Sequence, residues 1–188
     1  MTMVELLDEH DVPPEVARVF EVVRKEYGFV PNILRAMAHV PELLTVFVPL
    51  WAEVYRSPTI GARLRALAAL GTAKAQDCTY CVAHMTASAR RAGVAEEQIS
   101  AVGNVISVRE TFDPREALIL ETADALTRDP DGVTDELRDR LTTEFGSAEI
   151  VNIVLAIGMY NLTSRFLKAL SINVESIFDA AASHPSTA

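Results

Sequence analysis

The sequence is poor in cysteine and in aromatic residues. Cys78 and Cys81 are the only two cysteines among 188 residues, and Phe, Trp and Tyr together make up 6% of the chain. With so little cysteine, a fold held together by several disulfides is excluded. Apolar residues account for 49% of the chain, beside 8 Gly and 9 Pro. This composition is typical of a compact helical protein rich in Ala and Leu, with disorder confined to the ends.

Positive charge is also scarce, because 17 basic residues stand against 26 acidic ones and leave a net charge of −9. A chain of this charge repels phosphate backbones and anionic membranes, so nucleic acid and membrane surfaces are poor partners for it. The first 16 residues have no basic start and no apolar run of signal length. The longest apolar run, from Ile150 to Tyr160, contains Asn152 and is too short to span a bilayer. We therefore expect a cytoplasmic protein.

Apolar positions recur with a helical period along nearly the whole chain, and we find no convincing strand. This pattern predicts an all-α fold, forming one domain over residues 1–188 with a core over about 14–170 and flexible termini, the last of them 183–188. The predicted helices cover roughly 14–27, a short stretch from about 31, 41–56, 61–76, 77–93, 95–103, 113–129, 134–146 and 147–170. Residues 104–112 are expected to form a connector.

Three helix starts have recognisable caps. Asp77 is placed to cap the helix that carries the two cysteines, which is expected to end at Gly93. Asp113 is expected to cap another helix, with Pro114 in its first turn and Glu116 completing a capping box. Thr134 is expected to cap a third.

The two cysteines lie one helical turn apart, about 60° from each other around the axis. Their sulfurs can approach closely enough to form a disulfide, but the closed loop is so small that such a bond adds little stability. The value of the pair therefore lies in reversibility. In a reducing compartment this spacing is typical of a catalytic, redox-sensing or metal-binding site. The first turn of a helix favours a thiolate, whereas the charge of Asp77 opposes it.

His84 stands on the next turn, about 60° from Cys81 and about 120° from Cys78. It can serve the second thiol as a base or as a cation that stabilises a thiolate. Met85 falls almost directly above the pair as an apolar lid. A zinc site would need four ligands, so His39 or His10 would have to join the three in this helix. A structural helix with two chance thiols is the other alternative.

The segment CTYCVAHMTASARRAGV resembles the thiol motif of the alkylhydroperoxidase D-like (AhpD-like) branch of the carboxymuconolactone decarboxylase superfamily, where a pattern like C-x-Y-C-x-x-H-H-x-x-x-A-x-x-x-G is typical. The segment GFVPNILRAMAHVPELLTVF resembles the entry helices of peroxidase-related members. The segment EIVNIVLAIGMYNLTSRFLKAL resembles their closing helix. Together the three segments span most of residues 27–170.

The resemblance implies a compact AhpD-like helical bundle with the Cys-x-x-Cys at the N-terminal end of a central helix, assembled as a homo-oligomer. It implies an antioxidant oxidoreductase that cycles between dithiol and disulfide while it reduces hydroperoxides or disulfides. Cys81 corresponds to the attacking thiol and Cys78 to the resolving thiol, and we expect His84 to assist proton transfer. No cofactor or metal is expected. The reductant would be an external dithiol, such as a lipoyl or thioredoxin-like protein, and a peroxiredoxin is a possible electron acceptor.

Two residues depart from the resemblance. Met85 stands where peroxidatic members have a relay histidine, and Ala66 stands where they have a glutamate twelve residues before the first cysteine. Deprotonation of Cys81 would then depend on His84, the helix terminus or a distant group such as Glu53. A general base contributes about 10²- to 10⁴-fold to the reaction rate, so its loss would slow or abolish peroxidase turnover. A catalytically weak redox-sensing or binding oligomer of the same fold is therefore an alternative, and a decarboxylase-type enzyme, whose branch lacks the thiol pair, is another.

Overall fold

The computed structural model describes residues 2–178, and within that range the backbone is helical with no strand. The all-α prediction is thereby confirmed. The helices are α1 Pro14–Tyr27, α2 Asn32–Met37, α3 Pro41–Arg56, a short 3₁₀ helix Pro58–Ile60, α4 Gly61–Ala75, α5 Thr79–Arg91, α6 Glu96–Ala101, α7 Val105–Thr111, α8 Pro114–Arg128, α9 Asp135–Glu144 and α10 Ser147–Ala169.

Local signals set most of these boundaries. Gly28, with φ of 84°, ends α1 in the left-handed conformation that glycine adopts without strain. Asp113 Oδ1 accepts a hydrogen bond from the Glu116 N–H at 2.9 Å at the start of α8. Thr134 Oγ1 accepts one from the Leu137 N–H at 3.2 Å at the start of α9. The Asp113 and Thr134 caps and the predicted extents of α1 and α3 are confirmed.

The prediction of a connector over residues 104–112 is wrong, because α7 occupies Val105–Thr111. Asn104 caps this helix, and its Oδ1 accepts hydrogen bonds from the N–H groups of Ile106 and Ser107, each at 3.1 Å. Val108 is buried and gives the short helix a packed face. An Asn cap and one buried side chain outweigh the low helix propensity of the β-branched residues here.

The Glu116 side chain does not complete a capping box, which corrects the prediction. Its carboxylate accepts a hydrogen bond from Arg63 Nε of α4 at 2.5 Å, and Arg63 Nη1 also donates to the Gly93 carbonyl at 2.6 Å. Glu116 is buried, and a buried carboxylate needs a cationic partner more than the exposed start of a helix needs a cap.

The described chain divides into two compact units, one formed by residues 2–53 with 166–178 and the other by residues 54–165. In the first unit, Val16, Phe20 and Val23 of α1 are buried, and Arg35 of α2 donates to the carbonyls of Leu6 and Leu7. A single domain over 1–188 with flexible termini stays a prediction, and residues 183–188 lie outside the described range.

The second unit is built around α4, which is buried without interruption from Ala66 to Ala73. Helix α4 packs closely against α5 and α8. A Cβ at Gly71 would lie 3.1 Å from Ala123 Cβ and 3.1 Å from Leu120 Cδ2, so glycine is what lets α4 and α8 approach. This packing fixes the C-terminal end of α4, from which the chain turns into α5.

Helix α10 is the one helix within residues 2–178 that is long and apolar enough to cross a membrane, judged by length and composition alone. Core helices of other proteins pass the same test. Ile153, Ile157 and Ser164 of α10 are wholly buried against the rest of the protein. We interpret α10 as a core helix, and the absence of a membrane partner stays a prediction.

Candidate redox site

The two cysteines lie at a sharp corner between α4 and α5. Asp77 has φ of 49°, in the left-handed region that aspartate tolerates better than most residues. The Cys78 N–H donates to the Ala73 carbonyl and the Asp77 N–H donates to the Lys74 carbonyl, each at 3.1 Å. These bonds close the end of α4 in a Schellman-type turn and bring the chain directly into α5.

The N-cap of α5 is Cys78, and the prediction that Asp77 holds this position is wrong. The Cys81 N–H donates to Cys78 Sγ at 3.3 Å, which is the bond an N-cap side chain makes. Asp77 cannot serve, because its left-handed backbone is already engaged in ending α4. Helix α5 ends at Arg91, and Gly93 follows with φ of 78°, close to the predicted end.

Both thiols are free and almost completely buried, with Cys78 2% exposed and Cys81 4% exposed. Hydrogen bonding with the neighbouring Cys78 sulfur raises the pKa of Cys81, and burial raises it further. The Ser164 hydroxyl acts in the opposite direction and lowers this pKa. The pKa of Cys81 is therefore raised overall, because a negative charge on this sulfur is unfavourable beside another sulfur and away from water.

Ser164 of α10 provides a contact that the sequence analysis missed. Its Oγ lies 3.2 Å from Cys81 Sγ, and its side chain is wholly buried. The two residues are 83 positions apart, so no local pattern connects them. The one available signal was the polar Asn161 and Ser164 at helical spacing within an apolar helix.

Asn161 links α10 to the same corner by a hydrogen bond. Gln76 Nε2 donates to Asn161 Oδ1 at 2.5 Å, two residues before Cys78. Asn161 Nδ2 donates to Thr127 Oγ1 at 3.1 Å, and Arg165 Nη1 donates to Asn161 Oδ1 at 2.6 Å. Hydrogen bonds are directional, so these contacts of Asn161 hold α10 in one position beside the thiols.

The His84 ring stacks on Tyr80, with centroids 4.5 Å apart and planes inclined by 14°. This contact sets the ring orientation one turn beyond Cys81, and the role of His84 in proton transfer stays a prediction. Met85 is buried, and Ala66 is buried within α4. Neither side chain has an ionisable group, so neither can move a proton. Glu53 is exposed, and its part in deprotonation is untested.

Within residues 2–178, no three His, Cys, Asp or Glu side chains gather where a metal ion could bind. The alternative of a zinc site completed by His10 or His39 therefore gains no support from these residues. The expectation that the protein needs no metal or cofactor stays a prediction.

The carboxymuconolactone decarboxylase family model matches residues 41–124, which include the corner and both thiols. The Escherichia coli (strain K12) protein YnjA is 30% identical over 160 residues, covering 82% of this chain and 85% of YnjA. The chain belongs to the carboxymuconolactone decarboxylase family. Within this family the thiol pair of α5 lies inside the region that the family model describes.

Two solved structures with the same fold bear names related to peroxidases, and a third is named a debrominase. A peroxidase-related protein with an alkylhydroperoxidase AhpD core from Ralstonia eutropha JMP134 has a TM-score of 0.83 at 18% identity and covers 98% of both chains. A peroxidase-related protein from Silicibacter sp. TM1040 has a TM-score of 0.82 at 23% identity, covering 94% of this chain and 93% of its own. The debrominase Bmp8 has a TM-score of 0.80 at 24% identity and covers 96% of both chains. These likenesses confirm the AhpD-like fold for this family member.

Proposed function

We propose that the protein is a thiol-dependent antioxidant oxidoreductase that reduces hydroperoxides by cycling Cys78 and Cys81 between dithiol and disulfide. One observation carries the proposal: the Cys81 N–H donates to Cys78 Sγ at 3.3 Å, so both thiols belong to the first turn of α5. The AhpD-like fold shared with peroxidase-related proteins supports it. We propose a cytoplasmic location, where small dithiol proteins keep such a pair reduced.

In the first step, the Cys81 thiolate attacks one oxygen of the hydroperoxide. An S–O bond forms, the O–O bond breaks, and the sulfur loses two electrons to the substrate. The leaving alkoxide takes a proton and departs as an alcohol, which leaves Cys81 as a sulfenic acid. His84, three residues along α5, is the group we propose to carry the proton.

In the second step, the Cys78 sulfur attacks the Cys81 sulfenic acid. The S–S bond forms, the S–O bond breaks, and the hydroxyl leaves as water with the Cys78 proton. An external dithiol, of the lipoyl or thioredoxin type, then reduces the disulfide through two thiol exchanges and becomes a disulfide itself. The resulting disulfide joins two residues of the first turn of α5, so its formation and loss require little movement elsewhere.

Burial of both sulfurs limits what can react with them. A small hydroperoxide needs only a narrow path to Cys81, whereas a protein reductant needs the α4–α5 corner to open. Asp77, in its left-handed conformation, forms the turn at this corner. We therefore expect small hydroperoxides to react faster with the dithiol than bulky thiol reagents do.

The test follows thiol loss in the reduced protein mixed with an organic hydroperoxide. The parent should lose two thiols per peroxide consumed, and Cys81→Ser should lose none. Cys78→Ser should stop at a sulfenic acid that dimedone traps, because serine keeps the N-cap of α5 but cannot resolve the sulfenate. Equal peroxide consumption by Cys81→Ser and the parent would show that Cys81 is not the nucleophile.

A second candidate is a redox-sensing oligomer whose thiol pair oxidises slowly and without turnover. The observations that favour it are the buried thiols and the presence of Met85 and Ala66 in place of relay groups. With a dithiol reductant and excess hydroperoxide, an enzyme consumes many equivalents of peroxide. A sensor consumes one equivalent and then changes its oligomeric state.

The homo-oligomer expected from the resemblance has a candidate surface on α10. The outer face of α10, defined here as Val151, Val154, Leu155 and Leu162, consists of large apolar side chains that are all exposed. An exposed apolar stripe on a helix is a typical site for another protein. We propose a second copy of this chain as its occupant.

A further inference from the structure

We propose that Ser164 is a catalytic residue whose hydroxyl donates a hydrogen bond to the Cys81 thiolate, an inference that rests on the proposed function. The contact is direct, since Ser164 Oγ lies 3.2 Å from Cys81 Sγ. Both side chains are buried, so water does not compete for this bond. The residue lies far from the thiol motif in sequence and is contributed by α10.

The need for such a donor arises from how the backbone amides are used. The N–H of Cys81, which points toward the helix start, donates to Cys78 Sγ, and it lowers the pKa of Cys81 less than the Ser164 hydroxyl does. The helix start therefore divides its support between the two sulfurs, and Ser164 adds a side-chain donor to the attacking one. Ser164 supplies a hydroxyl at hydrogen-bond distance in a place where Met85 and Ala66 offer no polar group.

A hydroxyl suits both protonation states of the thiol. While Cys81 is protonated, its S–H can donate to Ser164 Oγ; once Cys81 is a thiolate, the Ser164 O–H rotates and donates to the sulfur. The serine keeps its own proton throughout, so it stabilises the thiolate without acting as the base. Hydrogen bonds to a charged group are roughly twice as strong as those between neutral groups.

The position of Ser164 is itself fixed. Asn161, one turn earlier on α10, accepts a hydrogen bond from Gln76 Nε2 at 2.5 Å at the corner that carries Cys78. Thus α10 presents Asn161 to the end of α4 and Ser164 to the start of α5. This double attachment holds the hydroxyl beside the sulfur without a contribution from substrate.

The test measures how fast iodoacetamide alkylates Cys81 as a function of pH, in a Cys78→Ser background so that one thiol reacts. Ser164→Ala should move the midpoint upward by about one pH unit, which corresponds to about a tenfold loss of thiolate at neutral pH. Ser164→Thr, which keeps the hydroxyl, should recover at least half of that shift. Thr163→Val is the matched control, because Thr163 Oγ1 donates to the Tyr160 carbonyl and not to sulfur.

The midpoint separates this role from a structural one. A change in packing alters how fast the reagent reaches the buried sulfur at every pH but leaves the midpoint in place. The titratable groups that neighbour the site on each element are identical in all these variants: Lys74 on α4, Asp77 at the corner, Tyr80 and His84 on α5, and Tyr160 and Arg165 on α10. An unchanged midpoint in Ser164→Ala would overturn the proposal.

The same variants distinguish this inference from the proposed function. If the parent consumes hydroperoxide, the rate of Cys81 sulfenate formation at pH 7 should fall about tenfold in Ser164→Ala and stay unchanged in Thr163→Val. If the parent consumes none, the peroxidase proposal fails. The alkylation midpoint then still decides whether Ser164 stabilises the Cys81 thiolate.

Discussion

The inner and outer faces of α10 each contain residues that a helix serving only to complete a core would not need. Most of the inner face is buried and apolar. The inner face carries Asn161, engaged by Gln76, and the wholly buried Ser164 against the Cys81 sulfur. The outer face exposes large apolar side chains, with Leu155 51% exposed and Leu162 52% exposed. A helix that only completes a core places its polar residues in water and its apolar residues inside.

These departures indicate that both faces of α10 contribute more than core packing. Burying a polar group without a partner is costly, and Asn161 and Ser164 both have partners at the corner that carries the thiols. Exposed apolar residues in a stripe, in turn, indicate a covering partner. Three experiments test these two faces, and a fourth tests the thiol that Ser164 contacts.

The largest effect is expected from placing a charge on each face in turn. Ser164→Asp buries an unpaired carboxylate and should lower the free energy of unfolding by about 4 kcal/mol. Leu155→Asp puts the same group in water and should change the free energy of unfolding of the isolated chain by less than about 0.5 kcal/mol. Urea denaturation of both variants at low protein concentration checks this, and equal losses would abolish the distinction between the faces.

The next effect concerns assembly through the outer face. The double variant Leu155→Asp/Leu162→Asp should weaken self-association about 100-fold, or about 3 kcal/mol, because it places two charges in an apolar contact. Light scattering over a dilution series measures the change in mass. Val22→Asp on α1, at another exposed apolar position, is the control, and the same mass for all three proteins would show that this face is not the interface.

A smaller effect tests whether the inner polar residues matter through their partners. Asn161→Ala removes the group that Gln76, Thr127 and Arg165 engage and should lower the free energy of unfolding by about 2 kcal/mol. Asn152→Ala is matched in residue type and helix. Its Oδ1 is buried with no hydrogen-bond partner among the described residues, so its removal should change stability by less than about 0.5 kcal/mol. Equal losses of stability in the two variants would show that the hydrogen bonds of Asn161 do not stabilise the protein.

The smallest effect is the pH dependence caused by Cys81. Its pKa is raised in the folded protein, so above the pKa of an unfolded thiol, about 8.5, the unfolded state releases a proton that the folded state retains. The free energy of unfolding should therefore decline as pH rises beyond this value, by about 1 kcal/mol one pH unit higher. Chemical denaturation of the parent and of Cys81→Ala between pH 7 and pH 10 measures it. A parallel decline in both proteins would mean that Cys81 is not its source.

The helices were predictable because their signals are local. Gly28, Asp113 and Thr134 act within a few residues of the boundary that they set, and a single sequence contains everything these interactions need. The mistakes at residues 104–112, at Asp77 and at Glu116 have a different origin. At Asp77 the end of the preceding helix prevailed over the local pattern, and at Glu116 the contact with Arg63 did. At residues 104–112 the burial of Val108 adds to the local cap of Asn104.

For the candidate site, the sequence predicted the thiols and their helix but not their surroundings. The spacing of Cys78 and Cys81 places both in one turn whatever surrounds them. Their burial, the use of Cys78 as a cap and the contact with Ser164 depend on how α4, α5 and α10 pack. None of these leaves a trace within the thiol motif.

By itself, the sequence determined an all-α chain with a Cys-x-x-Cys at the start of one helix, since helical period, caps and turn spacing act over about four residues. The tertiary structure alone decided that Cys81 meets Ser164, 83 positions away, and that α10 buries Ser164 while it exposes several large apolar side chains. The physical reason is that hydrogen bonds between distant side chains and the exclusion of water form only when the helices pack.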